Sequence, residues 1–401
     1  MAMTRNDPPD RRSLPGGAAP GGMRNHNERL VLSTIQQHGP MASADIARFT
    51  GFSAQTASVI TRSLESDGLL RKGDPQRGKV GKPLTPMQLD GDGAFSLGLR
   101  VGRRSADLVL VDLVGTVRAR RHLFYAYPTP DNLTDFVRQA HHALIADLTP
   151  VQRDRIMGIG IAVPYAIWDW LEWVNAPADQ MEAWKAFDIA TVFDGLTARP
   201  VTVGNDATLA CCGEHVFGLD HGLPDFAYFF VGSFIGGGLV LGGRVVWGPS
   251  GNAGAFGSIP VRDVREPVHQ LLQTASLHVL ESALEQAGID ARSMWDRSQC
   301  WDAFEPHLTD WLHATADELC HAIVAVAAVV DVPVVVIDGN FPDAVRSRLT
   351  IRIADRLALI DTRGIAKPRL QAGRLGPVAG ALGAAYQPLA AALMIDGSPL
   401  Y

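Results

Sequence analysis

The sequence predicts an α/β protein in which an N-terminal winged helix-turn-helix precedes a larger body of two α/β lobes. Short helical segments separated by a glycine turn fill residues 25–66, as they do in a helix-turn-helix. Strand-rich segments begin twice in the remaining chain, near residues 95 and 226, and helical segments follow each start. The charge divides in the same way, because residues 1–90 carry a net +4 and the remainder carries −10. A basic head on an acidic body is typical of a nucleic-acid-binding module joined to a small-molecule domain.

Three helices are predicted in the head. Residues 25–38 place apolar side chains at helical spacing and stop before a Gly-Pro pair. We expect Ser43 to cap a short second helix, and Ser53, which follows the turn at Gly51, to cap the third. The apolar residues that the third helix is expected to bury are Ala57, Ile60 and Leu64.

The third helix has the composition of a DNA-recognition helix, because small polar residues cluster near its start. Such a helix reaches base edges in the major groove with its N-terminal side chains. The following segment, up to residue 90, alternates strand-like pieces with a glycine-rich basic turn, which predicts a wing that contacts phosphates. The alternative is a three-helix bundle with a hairpin that binds another protein. The candidate DNA-binding residues are Ser53, Gln55, Thr56, Ser58 and Arg62 on the helix and Arg77, Lys79 and Lys82 on the wing.

Alternating apolar residues predict the strands of the body. Two strands meet near Gly102, and a hairpin turn at 112–115 leads to a third. The further elements expected are a helix at 131–147 and strands at 156–163, 226–232 and 333–338. The resulting division of the chain is a disordered leader at 1–23, the winged helix at 24–90, lobes at 91–205 and 206–375, and a C-terminal helix at 376–401 that returns to the first lobe.

Composition excludes several classes of protein. No stretch approaches 18 consecutive apolar residues, so we expect no membrane span. Residues 1–23 lack the apolar segment of a secretory signal. The four cysteines form no C-x-x-C pair, which favours reduced thiols in the cytoplasm over a disulfide framework or a zinc site.

Five segments, taken in order, resemble the ROK family (repressors, open reading frames and kinases). Regulatory members of this family join a winged helix to an actin/hexokinase-like (ribonuclease H-like) body that binds sugar. The resemblance therefore implies that fold for almost the whole chain, from about residue 25 to 388. The matching segments are GLRVGRRSADLVLVDLVG from residue 98, GIGIAVP at 158–164, VGNDATLAC at 203–211, the glycine-rich stretch at 232–260, and LGPVAGALGAA at 375–385.

The resemblance also locates a catalytic position. Family kinases hold the carboxylate base in an Asn-Asp pair, which matches Asn205-Asp206, and such a base activates the attacking hydroxyl. The same pair suits simple sugar binding, or a cap between strand and helix. The phosphate loop of the family, Asp-x-Gly-Gly-Thr, is altered. Arg100 replaces its acidic residue and Arg103 its second glycine, and neither arginine holds magnesium.

The sugar pocket of the family is altered as well. Its Gly-Glu-x-Gly-His motif becomes a segment with Ala255 and Ser258 in place of Glu and His. No cysteine occurs at 261–281, so His269 and His278 alone make no zinc site, and we expect no metal and no cofactor. The tryptophans at 168, 170, 173 and 184 either line the cleft or bury a loop. The candidate ligand-binding residues are Asn205, Asp206, Asn252, Ser258 and Asn175.

The sequence thus favours a DNA-binding regulator of carbohydrate genes that acts as a repressor and whose body is not an enzyme. The expected partners are operator DNA and a small sugar or polyol, and the expected assembly is a homodimer or a dimer of dimers in the cytoplasm. Two alternatives stay open: an active sugar kinase with a DNA-binding head, and a regulator that needs no ligand.

Overall fold

The computed structural model describes residues 26–75, 85–170, 176–219, 223–261, 269–295 and 300–395. The predicted leader lies outside these residues. The head consists of α1 (His26–His38), α2 (Ser43–Thr50), α3 (Ala54–Ser66) and an antiparallel pair, β1 (Leu70–Lys72) and β2 (Met87–Leu89).

The helix starts of the head agree with the prediction at one position and differ at another. Ser53 caps α3 as predicted, since its hydroxyl accepts a hydrogen bond from the backbone N–H of Thr56 at 3.1 Å. Ser43, in contrast, does not cap α2. Ala42 occupies the cap position without a side-chain hydrogen bond, because the helix starts at Ser43, one residue earlier than expected. The turn at Gly51 has φ +74°, a conformation that glycine adopts without strain.

The core of the head continues into the C-terminal helix. Val31, Leu32 and Ile35 of α1 pack with the buried side chains of α2 and α3, which include Ala57, Ile60 and Leu64 as predicted. Leu389 and Leu393, more than 300 residues later in the chain, belong to the same apolar cluster. The head is therefore seated on the body through a shared hydrophobic core.

The first sheet of the body has the order β5-β4-β3-β6-β7. Its first three strands form an antiparallel meander, and the last two run parallel to β3. The helix at 130–145, the counterpart of the predicted helix at 131–147, covers one face. The elements are β3 (Phe95–Val101), β4 (Ser105–Asp112), β5 (Val117–Phe124), α4 (Pro130–Ile145), α5 (Pro150–Asp154), β6 (Ile156–Val163), α6 (Ala178–Ala186), β7 (Val201–Asn205) and α7 (Asp206–Gly213).

The second sheet repeats this pattern with the order β10-β9-β8-β13-β14. Again a meander of three strands is followed by two strands parallel to its first member. The common topology supports the duplicated α/β unit inferred from the sequence. The elements are β8 (Phe226–Val231), β9 (Ile235–Leu241), β10 (Arg244–Val245), β11 (Pro260–Val261), β12 (His269–Gln270), α8 (Leu271–Thr274), α9 (Leu277–Gln286), α10 (His307–Val330), β13 (Val334–Gly339), α11 (Asp343–Leu357), β14 (Arg369–Ala372) and α12 (Ala379–Leu393).

Helix α12 packs closely against the first sheet. A Cβ added to Gly160 would lie 1.8 Å from the carbonyl oxygen of Ala384, and one added to Gly98 would lie 2.1 Å from that of Ala381. Only glycine permits this approach of helix backbone to strand backbone.

Helix α10 is long and apolar enough to cross a membrane by length and composition, and among the described residues it alone passes that test. Its apolar character has an explanation in the fold. Leu312, Leu319 and Ile323 are buried in the core of the second lobe, and Trp311 donates its indole N–H to the carbonyl oxygen of Ser276.

Candidate functional site

A cavity of about 130 Å³ lies between the two sheets. The first lobe contributes the turn between β3 and β4, the segment after β6, and the junction of β7 with α7. The second lobe contributes the turn between β8 and β9 and the loop at 252–258. Four of the five candidate ligand residues line this cavity, namely Asn205, Asp206, Asn252 and Ser258. The fifth, Asn175, lies outside the described residues.

Asn205 caps α7. Its side-chain oxygen accepts hydrogen bonds from the backbone N–H groups of Ala207 at 3.1 Å and Thr208 at 3.0 Å. This cap, which the sequence left as an alternative role, fixes the next residue at the cavity wall. Asp206 accepts a hydrogen bond from the N–H of Ala207 at 2.9 Å. Burial raises the pKa of the Asp206 carboxyl, and the nearby cations Arg100 and Arg103 partly oppose that rise.

The two arginines that replace residues of the family's phosphate loop both line the cavity. Arg100 is 5% exposed, and its Nη1 lies 3.9 Å from a carboxylate oxygen of Asp107. Arg103 stacks its guanidinium on the ring of Phe234, 3.7 Å from the ring centre. Because Arg103 belongs to the first lobe and Phe234 to the second, this contact bridges the cleft.

A second bridge uses the next residue of the same turn. Arg104 forms an ion pair with Glu281 of α9 at 3.1 Å and donates a hydrogen bond to the carbonyl of Ala126. The altered turn thus joins the lobes through a cation–π contact and an ion pair. No local pattern in the sequence indicates these bridges, because both partners lie more than 100 residues away along the chain.

Two glycines of the glycine-rich stretch at 232–260 are explained by packing. A Cβ on Gly236 would lie 2.7 Å from that of Ala207, and a Cβ on Gly257 would lie 2.2 Å from the carbonyl oxygen of Ile235. These glycines bring β9 close to α7 and to the loop that carries Ser258. Their presence therefore needs no bound nucleotide.

Trp184 does not line the cavity. Trp184 is 4% exposed in the core of the first lobe and donates its indole N–H to the carbonyl of Pro128 at 3.0 Å. Trp168 packs partly buried against the same core. Of the two roles considered from the sequence, lining the cleft or burying a loop, both tryptophans therefore have the second.

The described part of the segment 261–281, which was considered above as a zinc region, is held by apolar packing. Leu271, Leu272 and Leu277 are buried, and the ring of His278 lies 4.9 Å from that of Phe234. Burial lowers the pKa of His278 to about 4, so its imidazole is neutral at physiological pH. No group of three or more His, Cys, Asp or Glu residues within the described segments is arranged to hold a metal ion.

Four of the five candidate DNA-binding residues on the third helix and its cap are exposed. Gln55, Thr56 and Arg62 of α3 are exposed, as is the cap residue Ser53, while Ser58 is half-buried. The wing candidates Arg77, Lys79 and Lys82 lie outside the described residues, between β1 and β2.

The junction of head and body is a feature that the sequence reasoning missed. Arg29 of α1 donates hydrogen bonds to the carbonyls of Met394 at 2.6 Å and Ala391 at 3.0 Å, at the end of α12. Two polar pairs add to this contact: Tyr386 with Gln36 at 2.9 Å, and Ser33 with the backbone N–H of Ile395 at 2.8 Å.

The start of α12 is fixed by a buried acidic residue. Both oxygens of Glu214 accept backbone N–H groups, from Arg374 at 2.7 Å and Leu375 at 3.0 Å. Burial and the neighbouring carboxylate of Asp338 raise the pKa of Glu214 to about 7.

Comparisons with known proteins agree with this architecture. The MarR family pattern matches residues 25–79, the winged-helix head. Over 372 residues the chain is 27% identical to protein y4fQ of Sinorhizobium fredii, covering 90% of each. It is 26% identical over 286 residues to the transcriptional dual regulator NagC of Escherichia coli, covering 69% of this chain and 68% of that protein. The xylose repressor of Bacillus spizizenii is 24% identical over 235 residues, covering 59% of this chain and 60% of the repressor.

Solved structures share the fold. A ROK family transcriptional regulator described as a homologue of the E. coli MLC protein superposes with a TM-score of 0.61 at 21% identity, covering 91% of this chain and 95% of that one. A ROK family glucokinase from Streptomyces griseus, solved with glucose and AMPPNP, gives a TM-score of 0.58 at 19% identity, covering 73% of this chain and 98% of the kinase. Since the ROK family pattern matches residues 96–390, which is most of the chain, the protein belongs to the ROK family.

Proposed function

We propose that the protein is a DNA-binding repressor of carbohydrate genes that responds to a small sugar or polyol in the cleft between its lobes. The observation that carries the proposal is that one helix touches both sites. A Cβ on Gly380, at the start of α12, would lie 3.1 Å from Cδ of the cleft residue Arg100. Leu389 and Leu393, near the end of that helix, lie in the core of the head.

The helix α3 supplies the DNA contacts in this proposal. Its exposed polar residues Gln55, Thr56 and Arg62 face the major groove of the DNA, while the wing contacts the phosphate backbone of the DNA. The relatives NagC and the xylose repressor are named as regulators of transcription, which supports operator DNA as the partner. We further propose a homodimer, because paired half-sites need paired heads, and a cytoplasmic location, where such DNA is accessible.

The cleft binds ligand without phosphoryl transfer in this proposal. Asp206 lies where family kinases hold their base, but Arg100 takes the place of the acidic residue that helps to hold magnesium. A cation there repels Mg²⁺, and without the metal the charge that develops on the transferred phosphate lacks its main stabiliser. Asp206 then accepts hydrogen bonds from sugar hydroxyls, together with Asn252 and Ser258.

The proposal also assigns roles to the parts of the chain. Residues 24–90 bind DNA, lobes 91–205 and 206–375 form the cleft, and the segment 376–401 connects the cleft to the head. A ligand changes operator affinity only if it binds the closed and open arrangements unequally.

Two experiments test the proposal. Fluorescence anisotropy with DNA from upstream of the protein's own gene is expected to show binding that weakens steeply between about 50 and 200 mM salt. Absence of such binding would refute the DNA-binding role. An ATP-coupled assay over a sugar panel is expected to show no turnover. Turnover that disappears in Asp206→Ala would instead establish the kinase alternative.

A further inference from the structure

The charged groups that line the cleft are unbalanced. Among the cavity-lining residues that the structure describes, the charged ones are the cations Arg100 and Arg103 and the single carboxylate Asp206. A pocket built only for neutral hydroxyls needs no such excess of positive charge, since burying a cation without a full partner costs free energy.

Arg100 is the more deeply buried of the two. Its ion-pair partner Asp107 is shared: one carboxylate oxygen lies 3.9 Å from Nη1 of Arg100, and the other lies 2.6 Å from both Nη2 of Arg120 and Nδ1 of His122. Nη1 of Arg100 has no hydrogen-bond partner in the described part of the chain, although it is buried. A buried guanidinium with an unsatisfied N–H at a cavity wall is a donor for an acceptor that enters the cavity.

Arg103 lies across the cleft on Phe234, near Asp206. Burial lowers the pKa of Arg103 to about 9, and the carboxylate of Asp206 offsets only part of that loss. A second negative charge in the cavity would therefore stabilise the ionised guanidinium. Because Arg103 contacts the opposite lobe, an anion bound to it acts on lobe closure directly.

We infer that the effector in the proposed function is an acidic sugar, whose carboxylate or phosphate binds Arg100 and Arg103 while its hydroxyls bind Asp206, Asn252 and Ser258. This inference rests on the proposed function. Planar guanidinium groups suit either anion, because their N–H donors match the oxygens of carboxylate and phosphate.

The test uses the full-length protein and matched sets of ligands. Glucose, xylose and N-acetylglucosamine are each compared with their uronate or aldonate and their phosphate esters, by calorimetry at constant ionic strength. We expect at least one acidic member to bind tighter than its neutral parent by about tenfold or more. The carboxylate and phosphate members separate the two sources of the anion.

Variants identify the site. Arg103→Gln and Arg100→Gln are expected to weaken binding of that acidic sugar by roughly tenfold to a hundredfold, as loss of a hydrogen bond to a charged group does. Arg121→Gln removes the same charge from an exposed position on β5 and is expected to leave the affinity unchanged. Retained DNA binding and a cooperative thermal transition show that each variant folds.

Three outcomes would overturn the inference: neutral parents that bind as tightly as their acids, no acidic sugar that binds below about 10 mM, or acidic binding that survives in both arginine variants. The salt-dependent DNA binding described above is measured without any sugar. Its failure would refute the proposed function, whereas failure of the sugar series alone would refute only the acidic effector.

Discussion

Arg29→Met is expected to weaken the link between cleft and head while leaving both sites intact. The substitution keeps the aliphatic stem but removes the donors that hold the carbonyls of Met394 at 2.6 Å and Ala391 at 3.0 Å. Hydrogen bonds from a charged donor contribute about 1.5–3 kcal/mol each when buried, and these are partly exposed. We therefore expect a total loss of about 1–2 kcal/mol in head docking, which corresponds to roughly a five- to thirtyfold change in that equilibrium.

The assay is operator affinity with and without a cleft ligand, measured by fluorescence anisotropy. If α12 carries the signal, the ratio of the two affinities falls toward one in Arg29→Met, while ligand affinity in calorimetry stays within about twofold. Arg138→Met is the control, because Arg138 is an exposed arginine of α4.

An unchanged affinity ratio in Arg29→Met would refute the reasoning, since the signal would then bypass the junction. Loss of ligand binding in the variant would contradict it too, because Arg29 lies on α1 of the head and outside the lining of the cleft.

Three further predictions follow from the structure. Gly160→Ala places a Cβ 1.8 Å from the backbone of Ala384, so we expect a loss of about 3 kcal/mol or more in urea unfolding. Gly204→Ala is expected to cost less, because the nearest atoms to its Cβ belong to side chains, those of Leu209 at 3.1 Å and Trp247 at 3.5 Å; equal losses would contradict this. Gln55→Ala is expected to cost about 1–3 kcal/mol on operator DNA and little on unrelated DNA; equal loss on both would argue against a base contact. Glu214 has a pKa of about 7 in the folded state, above its ordinary value of 4.5, so between these pH values the folded state binds more protons than the unfolded state. The stability that the protonated Glu214 contributes is therefore lost as the pH rises from 4.5 through 7. Glu214→Gln should flatten this part of the pH–stability curve, and a variant curve parallel to that of the wild type would exclude Glu214 as the source.

The elements of the fold were predictable because their signals are local. The apolar spacing of α1 and α3, the cap at Ser53 and the apolar run of β6 act within a few residues, and the structure has these elements where they are predicted. The prediction that Ser43 caps α2 is wrong by one position, since helix ends vary by a residue or two and Ala42, whose backbone is extended, is the cap residue.

The composition of the cleft was predictable only in part. Asn205 ends a strand and Asp206 begins a helix, and the sequence indicates both ends. The position of this pair at the cavity could therefore be inferred. The roles of Arg100 and Arg103 could not, because their contacts depend on where the opposite lobe lies. The sequence showed which family residues the turn lacks, whereas the structure shows a buried cation, Arg100, and a half-buried one, Arg103, at the cavity.

The head–body junction gave no local signal at all. Leu389 and Leu393 fit an ordinary apolar helix, and nothing near them in the sequence indicates that α1 packs against them. Contacts of such high sequence separation depend on the whole topology, which no window of residues contains.

The most direct test of the account is the operator affinity of the full-length protein with and without a sugar that binds its cleft, compared between wild type and Asp206→Ala. The account predicts a ligand-dependent change of about fivefold or more in the wild type and none in the variant. A wild-type operator affinity that stays constant while the cleft is saturated would contradict it.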